Sequence, residues 1–348
     1  MKIGLFGFAG GGKTTVFNLL TGLSADTGMG GKSKTNLGVT KVPDERVDFF
    51  TGIYKPKKTV YAEIHFSDMP GEAPSKSSSG LSPQVVGELR TMDVLALVLR
   101  AFENPALEAA PDPQRDYTAM KSELILADLQ VVEKRVERLR KDRSAPRELE
   151  ALEKCLAHLE DEQPIRTLGL RDDEQSLLTG FRFLSEKTLL VLVNTSEDEP
   201  TASFAGLNER LGAESITPIT LCAGIETEII ELEPEDRAAF LADLGVEGSG
   251  RDRFIQQAYT ALDLISFLTV GEDECRAWTI GRGTVAQRAA GRVHSDIERG
   301  FIRAEVISYA DFLEYGSEAK AKAAGRYRLE GKEYVVTDGD VINFRFNV

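Results

Sequence analysis

The chain has 348 residues, 42% of them hydrophobic and 28% charged. That balance belongs to a folded protein of two or three domains and excludes a disordered chain. No apolar run is long enough to span a bilayer, MKIGLFGFAG lacks a signal-peptide pattern, and the three scattered cysteines give neither a disulfide framework nor a zinc spacing. A soluble protein of the reducing cytoplasm, without a membrane partner, is therefore expected. The net charge of −14 argues against a general nucleic-acid coat. Residues 266–348 hold 12 Lys+Arg against 13 Asp+Glu, so the acidity lies almost wholly in the rest and the C-terminal part is the better placed to meet an anionic partner.

In chain order, residues 2–6 read as a short buried strand, followed by a Gly-rich turn and a helix opening near Thr14. The polar, Gly-rich stretch 23–36 reads as a loop. LGVTKV (37–42) and TVYAEIHF (59–66) have the β-branched or alternating pattern of strands. DVLALVLR (93–100) and KTLLVLVN (187–194) read as fully buried strands of a parallel sheet, and 215–221 as another. Strands alternating with helices indicate a doubly wound α/β domain. His65 is expected to face the sheet or its cover.

Two segments interrupt that pattern. Ile125, Leu129, Val132, Val136 and Leu139 recur at spacings of 4, 3, 4 and 3, and Leu149, Leu152, Leu156 and Leu159 at 3, 4 and 3. With DRSAP as a stop between them, this predicts an antiparallel coiled-coil hairpin inserted in the α/β domain. The pattern does not separate a structural brace from an arm for a partner. From about residue 266 short strands (RAWTI, RAEVISY, YRLEG, YVVTDGD, VINFRFNV) surround one clear helix signal at 284–297, which predicts a small α+β domain. Gly281–Ala286 fits a loose dinucleotide pattern but lacks the βαβ setting, so a tight turn between strands is expected. Trp278 reads as core. The three histidines form no metal or catalytic set.

The chemistry sits near the N-terminus. Gly7-Phe8-Ala9-Gly10-Gly11-Gly12-Lys13-Thr14 matches G-x-x-x-x-G-K-[ST] between a predicted strand and a predicted helix. Its glycines let successive backbone N–H groups turn around phosphate oxygens at a helix N-terminus, where the dipole favours anions. Lys13 reaches the β- and γ-phosphates and the Thr14 hydroxyl binds Mg²⁺, with Thr15 beside it. A second requirement, an acidic residue beyond a buried strand, is met by Asp68 and Gly71 in SDMPG. Asp68 is suited to holding Mg²⁺, usually through water, and the Gly71 N–H to sensing the γ-phosphate. The nucleotide is expected to be ATP or GTP. Thr35 or Ser33 is a candidate for a further Mg²⁺ ligand; the sequence leaves the choice open.

These motifs, with NLGVTKVPDERVD, SELILADLQVVEK, NTSE and the C-terminal runs RAWTIGRGTVAQRAAGRVHSDIERGFIRAEVI and EGKEYVVTDGDVINFRFNV, resemble the YchF family of Obg-related P-loop NTPases over nearly the whole chain. The resemblance implies a G domain at 1–116 and 167–265, a helical hairpin at 117–166, and a TGS (β-grasp) domain at 266–348. It also implies slow ATP or GTP hydrolysis, a translation-linked switch, and a ribosomal or RNA partner docked through the TGS domain. In Asn194-Thr195-Ser196-Glu197, Glu197 replaces the Asp that reads guanine in most GTPases. This goes with binding ATP as well as or better than GTP, with Cys222 and Ala223 as the other base-side loop. Three features depart from the family: the triple glycine of the phosphate loop, Glu72 directly after Gly71 as a candidate catalytic residue, and no histidine after Ala101-Phe102-Glu103-Asn104. A nucleotide-binding adaptor that does not hydrolyse, and a small-molecule kinase, are the competing readings.

Overall fold

The computed structural model describes residues 1–27, 35–71, 81–200, 202–243 and 248–347. The elements begin with β1 (Lys2–Phe6), α1 (Lys13–Thr21), β2 (Asn36–Lys41), α2 (Glu45–Tyr54), β3 (Lys58–Val60), β4 (Glu63–Asp68), α3 (Pro83–Arg90), β5 (Val94–Ala101), α4 (Pro113–Asp142) and α5 (Pro146–Glu160). There follow α6 (Asp172–Leu178), β6 (Thr188–Thr195), α7 (Ala205–Ala213), β7 (Ile219–Leu221), α8 (Ala223–Glu231), α9 (Pro234–Asp243) and α10 (Gly250–Ala261). The last are β8 (Leu264–Thr269), β9 (Glu274–Gly281), α11 (Ala286–Val293), α12 (Ser295–Arg299), β10 (Phe301–Ser308), α13 (Tyr309–Tyr315), α14 (Glu318–Ala323), β11 (Arg328–Glu330) and β12 (Asp340–Phe346). The chain forms two compact units, Met1–Thr40 with His65–Phe254, and Lys41–Ile64 with Ile255–Val348.

The first unit holds a sheet of order β2-β4-β1-β5-β6-β7. β1 pairs in parallel with β4 and β5, and β6 in parallel with β5 and β7. β5 and β6 are buried along almost their whole length, which is why they read as unbroken apolar runs. β1 lies between two strands reached by connections that run in opposite directions along the sheet, the position where ligand-binding loops gather beyond the strand ends.

α4 starts at Pro113, earlier than the heptad spacing indicates, because Asp112 accepts from the Arg115 N–H and proline suits the first helical turn. α5 packs against it through Val132, Val136, Leu139, Leu152, Cys155 and Leu159, and Arg135 bridges to Glu148 at 2.7 and 2.9 Å. The reversal uses left-handed Arg143 and Ala145 before Pro146. At the base, the Asp128 carboxylate accepts from the Leu184 and Ser185 N–H groups and lies 3.1 Å from Arg90.

The second unit has a sheet of order β11-β10-β12-β8-β9-β3. One face packs on α11 through Phe267, Ile342, Phe344 and Ala290, the other on α2 and α13 through Phe50, Phe312 and Leu268. Residues 41–64, read from sequence as part of the nucleotide domain, belong to this unit: β3 extends the sheet beside β9, and Val47 and Phe50 of α2 are fully buried in its core. The single strand expected at 59–66 is therefore two, broken at Tyr61-Ala62, with β3 in one sheet and β4 in the other.

Smaller expectations change too. The helix expected at 284–297 is two helices, because His294 is extended and its Nδ1 accepts from the Asp296 N–H. YVVTDGD is a turn segment: Val335 bridges to Val285 outside the sheet, and the Ser266 backbone of β8 exchanges hydrogen bonds with Asp338 and Gly339 before β12 begins. The Gly281–Thr284 turn leads from β9 into α11 rather than into another strand. Trp278 is half-buried, with the Arg276 guanidinium 4.0 Å above its ring, and His65 is exposed.

Candidate functional site

Five parallel strands of the first unit deliver their C-terminal ends to one edge. Beyond β1 the chain turns sharply: Gly7, Gly10 and Gly12 have φ of 143°, 75° and 82°, conformations that side chains rarely adopt. A methyl group on Gly7 would lie 2.5 Å from the Val98 carbonyl oxygen of β5. Gly11 has no such constraint, so the triple glycine is a structural demand at two of its three positions. Gly12 caps α1, whose first turn carries Lys13, Thr14 and Thr15.

Lys13 is 6% exposed, and its Nζ donates to the Phe8 carbonyl at 2.8 Å, folded back over the loop. The Thr14 hydroxyl donates to Asp68 Oδ2 at 2.9 Å, joining the start of α1 to the end of β4. Giving its proton to the carboxylate leaves the Thr14 oxygen lone pairs available. Asp68 is buried, and its Oδ1 has no hydrogen-bond partner among the described residues. An orphaned buried carboxylate oxygen is costly. With the Thr14 oxygen it offers two oxygen ligands of the kind that a hard divalent cation takes. Gly71 sits against the loop, where a methyl group would meet Ala9 Cα and Lys13 Nζ, each at 2.8 Å. Glu72 and Ser33 lie outside the described residues. Thr35 is not brought to this cluster: its hydroxyl donates to Glu88 of α3.

On the other side of the loop, Asn194 at the end of β6 is buried and bridges two segments. Its Nδ2 donates to the Gly11 carbonyl at 3.3 Å, and its Oδ1 accepts from the Ala223 N–H at 3.0 Å. Glu197 is exposed, with its carboxylate beside Gly224, where a methyl group would lie 3.0 Å from Oε1. Cys222 caps α8 and is buried, which pushes its thiol up from the ordinary value. The structure thus assembles Gly7, Gly10, Gly11, Gly12, Lys13, Thr14, Asp68 and Gly71 on one side and Asn194, Glu197, Cys222 and Ala223 on the other, joined through Asn194.

A family model for the YchF GTPase C-terminal region, described as a protein of unknown function (DUF933), matches residues 264–347. Over its whole length the chain is 40% identical to the ribosome-binding ATPase YchF of Bacillus subtilis, with all of both chains covered. The chain belongs to the YchF family. It is 38% identical to the ribosome-binding ATPase YchF of Haemophilus influenzae, covering 100% of this chain and 99% of that one. The structure of the Schizosaccharomyces pombe YchF GTPase matches with a TM-score of 0.85 at 30% identity, over 99% of this chain and 97% of that one. As a YchF protein the chain is a nucleotide-binding P-loop nucleoside triphosphatase with the doubly wound α/β fold.

Three residues beside this YchF site were given no role by the sequence motifs, although Asn36 and Asn104 lie within quoted stretches. Asn104 donates to the Gly10 carbonyl at 3.2 Å while its Oδ1 accepts from the Ala106 N–H, so the segment after β5 lies on the phosphate loop. Arg100 fixes that segment through the Phe102 and Ala109 carbonyls. Asn36, at the start of β2, donates to Asp68 Oδ2 at 3.0 Å. Asparagine in a loop or at a strand end carries no spacing signal, so these partners are visible only after folding. A cavity of about 670 Å³ opens beyond the base-side loop, lined by Pro200, Cys222, Ile225, Glu226 and Arg253 and by none of the phosphate-loop residues. Among the described residues no helix is long and apolar enough to cross a membrane.

Proposed function

We propose that the chain binds ATP or GTP with Mg²⁺, hydrolyses it slowly, and acts as a ribosome-linked molecular switch. The observation that supports this best is the Thr14–Asp68 hydrogen bond with Asp68 Oδ1 left unpartnered beside it. The backbone of Gly10, Gly11 and Gly12 cradles the phosphates, and Lys13 exchanges its bond to Phe8 for the β- and γ-phosphate oxygens. Thr14 and Asp68 would hold Mg²⁺, which would supply charge neutralisation for the triphosphate. Gly71, close against Ala9 and Lys13, senses the γ-phosphate through its N–H in this reading. Asn194, Glu197, Cys222 and Ala223 form the base pocket. Glu197, longer than Asp and exposed, is a poor clamp for guanine, so ATP binds at least as well as GTP.

Several relatives are named ribosome-binding ATPases, which supports a ribosomal partner here and with it a cytoplasmic location. We read the C-terminal sheet as a TGS-type β-grasp domain and the docking surface, and 117–166 as a brace or arm. An adaptor that never hydrolyses is the second reading, favoured by one observation: the segment after Phe102 is held on the phosphate loop by Asn104 and contains no histidine. Calorimetry with ATP, GTP and non-hydrolysable analogues in Mg²⁺, joined to phosphate release without an acceptor, separates the two. Lys13→Ala should cost about 1–3 kcal/mol in triphosphate affinity, the worth of a hydrogen bond to a charged group; unchanged affinity would overturn the site.

A further inference from the structure

We propose that Asn36 is a positioning residue for the cation-holding carboxylate of Asp68. The inference rests on the Mg²⁺ reading above and extends it to a residue outside the phosphate loop and outside the Asp68 segment.

Two donors from different elements converge on Asp68 Oδ2: the Thr14 hydroxyl at 2.9 Å from α1 and the Asn36 amide at 3.0 Å from β2. Held by Thr14 alone, the carboxylate can still turn about its Cβ–Cγ bond and carry Oδ1 away from the Thr14 oxygen. The second donor, arriving from another element, fixes the carboxylate plane and leaves Oδ1, buried and without a partner among the described residues, as the oxygen presented to the cation or its water. Groups that orient a ligand without touching the metal are typically worth 10–100-fold in metal affinity or activity.

The placement of Asn36 is specific to that task. Along β2, Gly38 and Thr40 are buried while Leu37 and Val39 are exposed, so Asn36 shares the inward face by the two-residue period of a strand. Its neighbour Thr35 points elsewhere, to Glu88. β2 is the edge strand next to β4, whose last residue is Asp68. A residue on the inward face at the start of β2 is thus brought to the end of β4, and only a side chain with a hydrogen-bond donor meets the carboxylate there.

The test measures the affinity of a fluorescent ATP analogue in EDTA and across a Mg²⁺ titration, for wild type, Asn36→Ala and the near-isosteric Asn36→Leu. In EDTA all three should bind within about twofold of one another, which also reports an intact phosphate loop. In Asn36→Ala the Mg²⁺ concentration giving half of the affinity gain should rise about tenfold. Asn36→Leu should be as impaired despite its similar size, because it lacks the donor and adds no charge; a packing role would leave it close to wild type. Identical Mg²⁺ midpoints in all three proteins, with wild-type binding still dependent on Mg²⁺, would overturn the role of Asn36 and leave the Mg²⁺ reading standing. Wild-type binding that ignores Mg²⁺ would overturn that reading and the inference together.

Discussion

Gly12 and Asn194 are packed so closely that a methyl group on Gly12 would lie 2.2 Å from the Asn194 amide nitrogen. The same amide donates to Gly11 while its oxygen accepts from Ala223. Gly12→Ala must therefore push Asn194 off both loops, and it also strains a φ of 82°, at a cost of about 1–3 kcal/mol for the backbone alone. We expect at least tenfold weaker triphosphate binding by calorimetry. Gly11→Ala is the control: its methyl group would stand 3.3 Å from the Phe8 carbonyl oxygen without a positive φ, and binding should stay close to wild type. Equal losses in both variants would contradict the bridge.

Base choice should turn on Glu197. Shortening it by one methylene in Glu197→Asp restores the side chain that reads guanine elsewhere, and the ratio of ATP to GTP affinity should move severalfold toward GTP. Adding Thr195→Lys should not help, because Thr195 is buried and its hydroxyl donates to the Pro200 carbonyl at 3.0 Å. A wild type that already binds GTP about a hundredfold better than ATP, a difference near 2.7 kcal/mol, would refute this account of the pocket.

Glu214, which follows α7, ties the foot of the helical hairpin to the end of α7 within the first unit: Lys121 of α4 lies 2.8 Å away and Arg166 2.5 Å. Burial pushes its carboxyl up, but the hydrogen bond from Lys121 and the charge of Arg166 outweigh it and leave the group below 4.5. A carboxyl lowered in the folded state contributes stability that is present above the unfolded value and is lost as pH falls through the folded one. Urea unfolding should show wild type losing this contribution below about pH 4.5, and Glu214→Gln should flatten that part of the profile. At neutral pH Glu214→Ala, which strands two partly buried cations, should cost about 3 kcal/mol.

Six arginines lie between Arg276 and Arg303, but the structure divides them. Arg288 pairs with Glu298, Arg299 with Asp296 and Arg282 with Asp263, while Arg276 covers Trp278. Arg292 and Arg303 are exposed and have no acidic partner among the described residues. If the C-terminal unit meets RNA phosphates, Arg292→Ala with Arg303→Ala should reduce ribosome co-sedimentation and lower its salt dependence, by about one power of salt for each lost contact. Arg288→Ala should have the smaller effect. Association that ignores both salt and the double substitution would mark these arginines as surface charge.

The shape of the loop after β1 was legible in the sequence because it is local: Gly7 and Gly12 take the positive φ that glycine allows, and Lys13 and Thr14 open α1 directly after them. The buried runs of β5 and β6 likewise announce a parallel sheet by composition alone. What the sequence could not determine depends on partners far along the chain. Asn36, Asn104 and Arg100 work through one or two hydrogen bonds each, to Asp68, to Gly10 and Ala106, and to the Phe102 and Ala109 carbonyls, and one polar side chain leaves no periodic trace. The run TVYAEIHF looks like one strand because β-propensity does not record which sheet a residue joins; only tertiary pairing sends Lys58–Val60 to β9 and Ile64–Asp68 toward β1. The arginine cluster is likewise a fact of sequence, but which of its charges are already neutralised was decided by where Glu298, Asp296 and Asp263 came to lie.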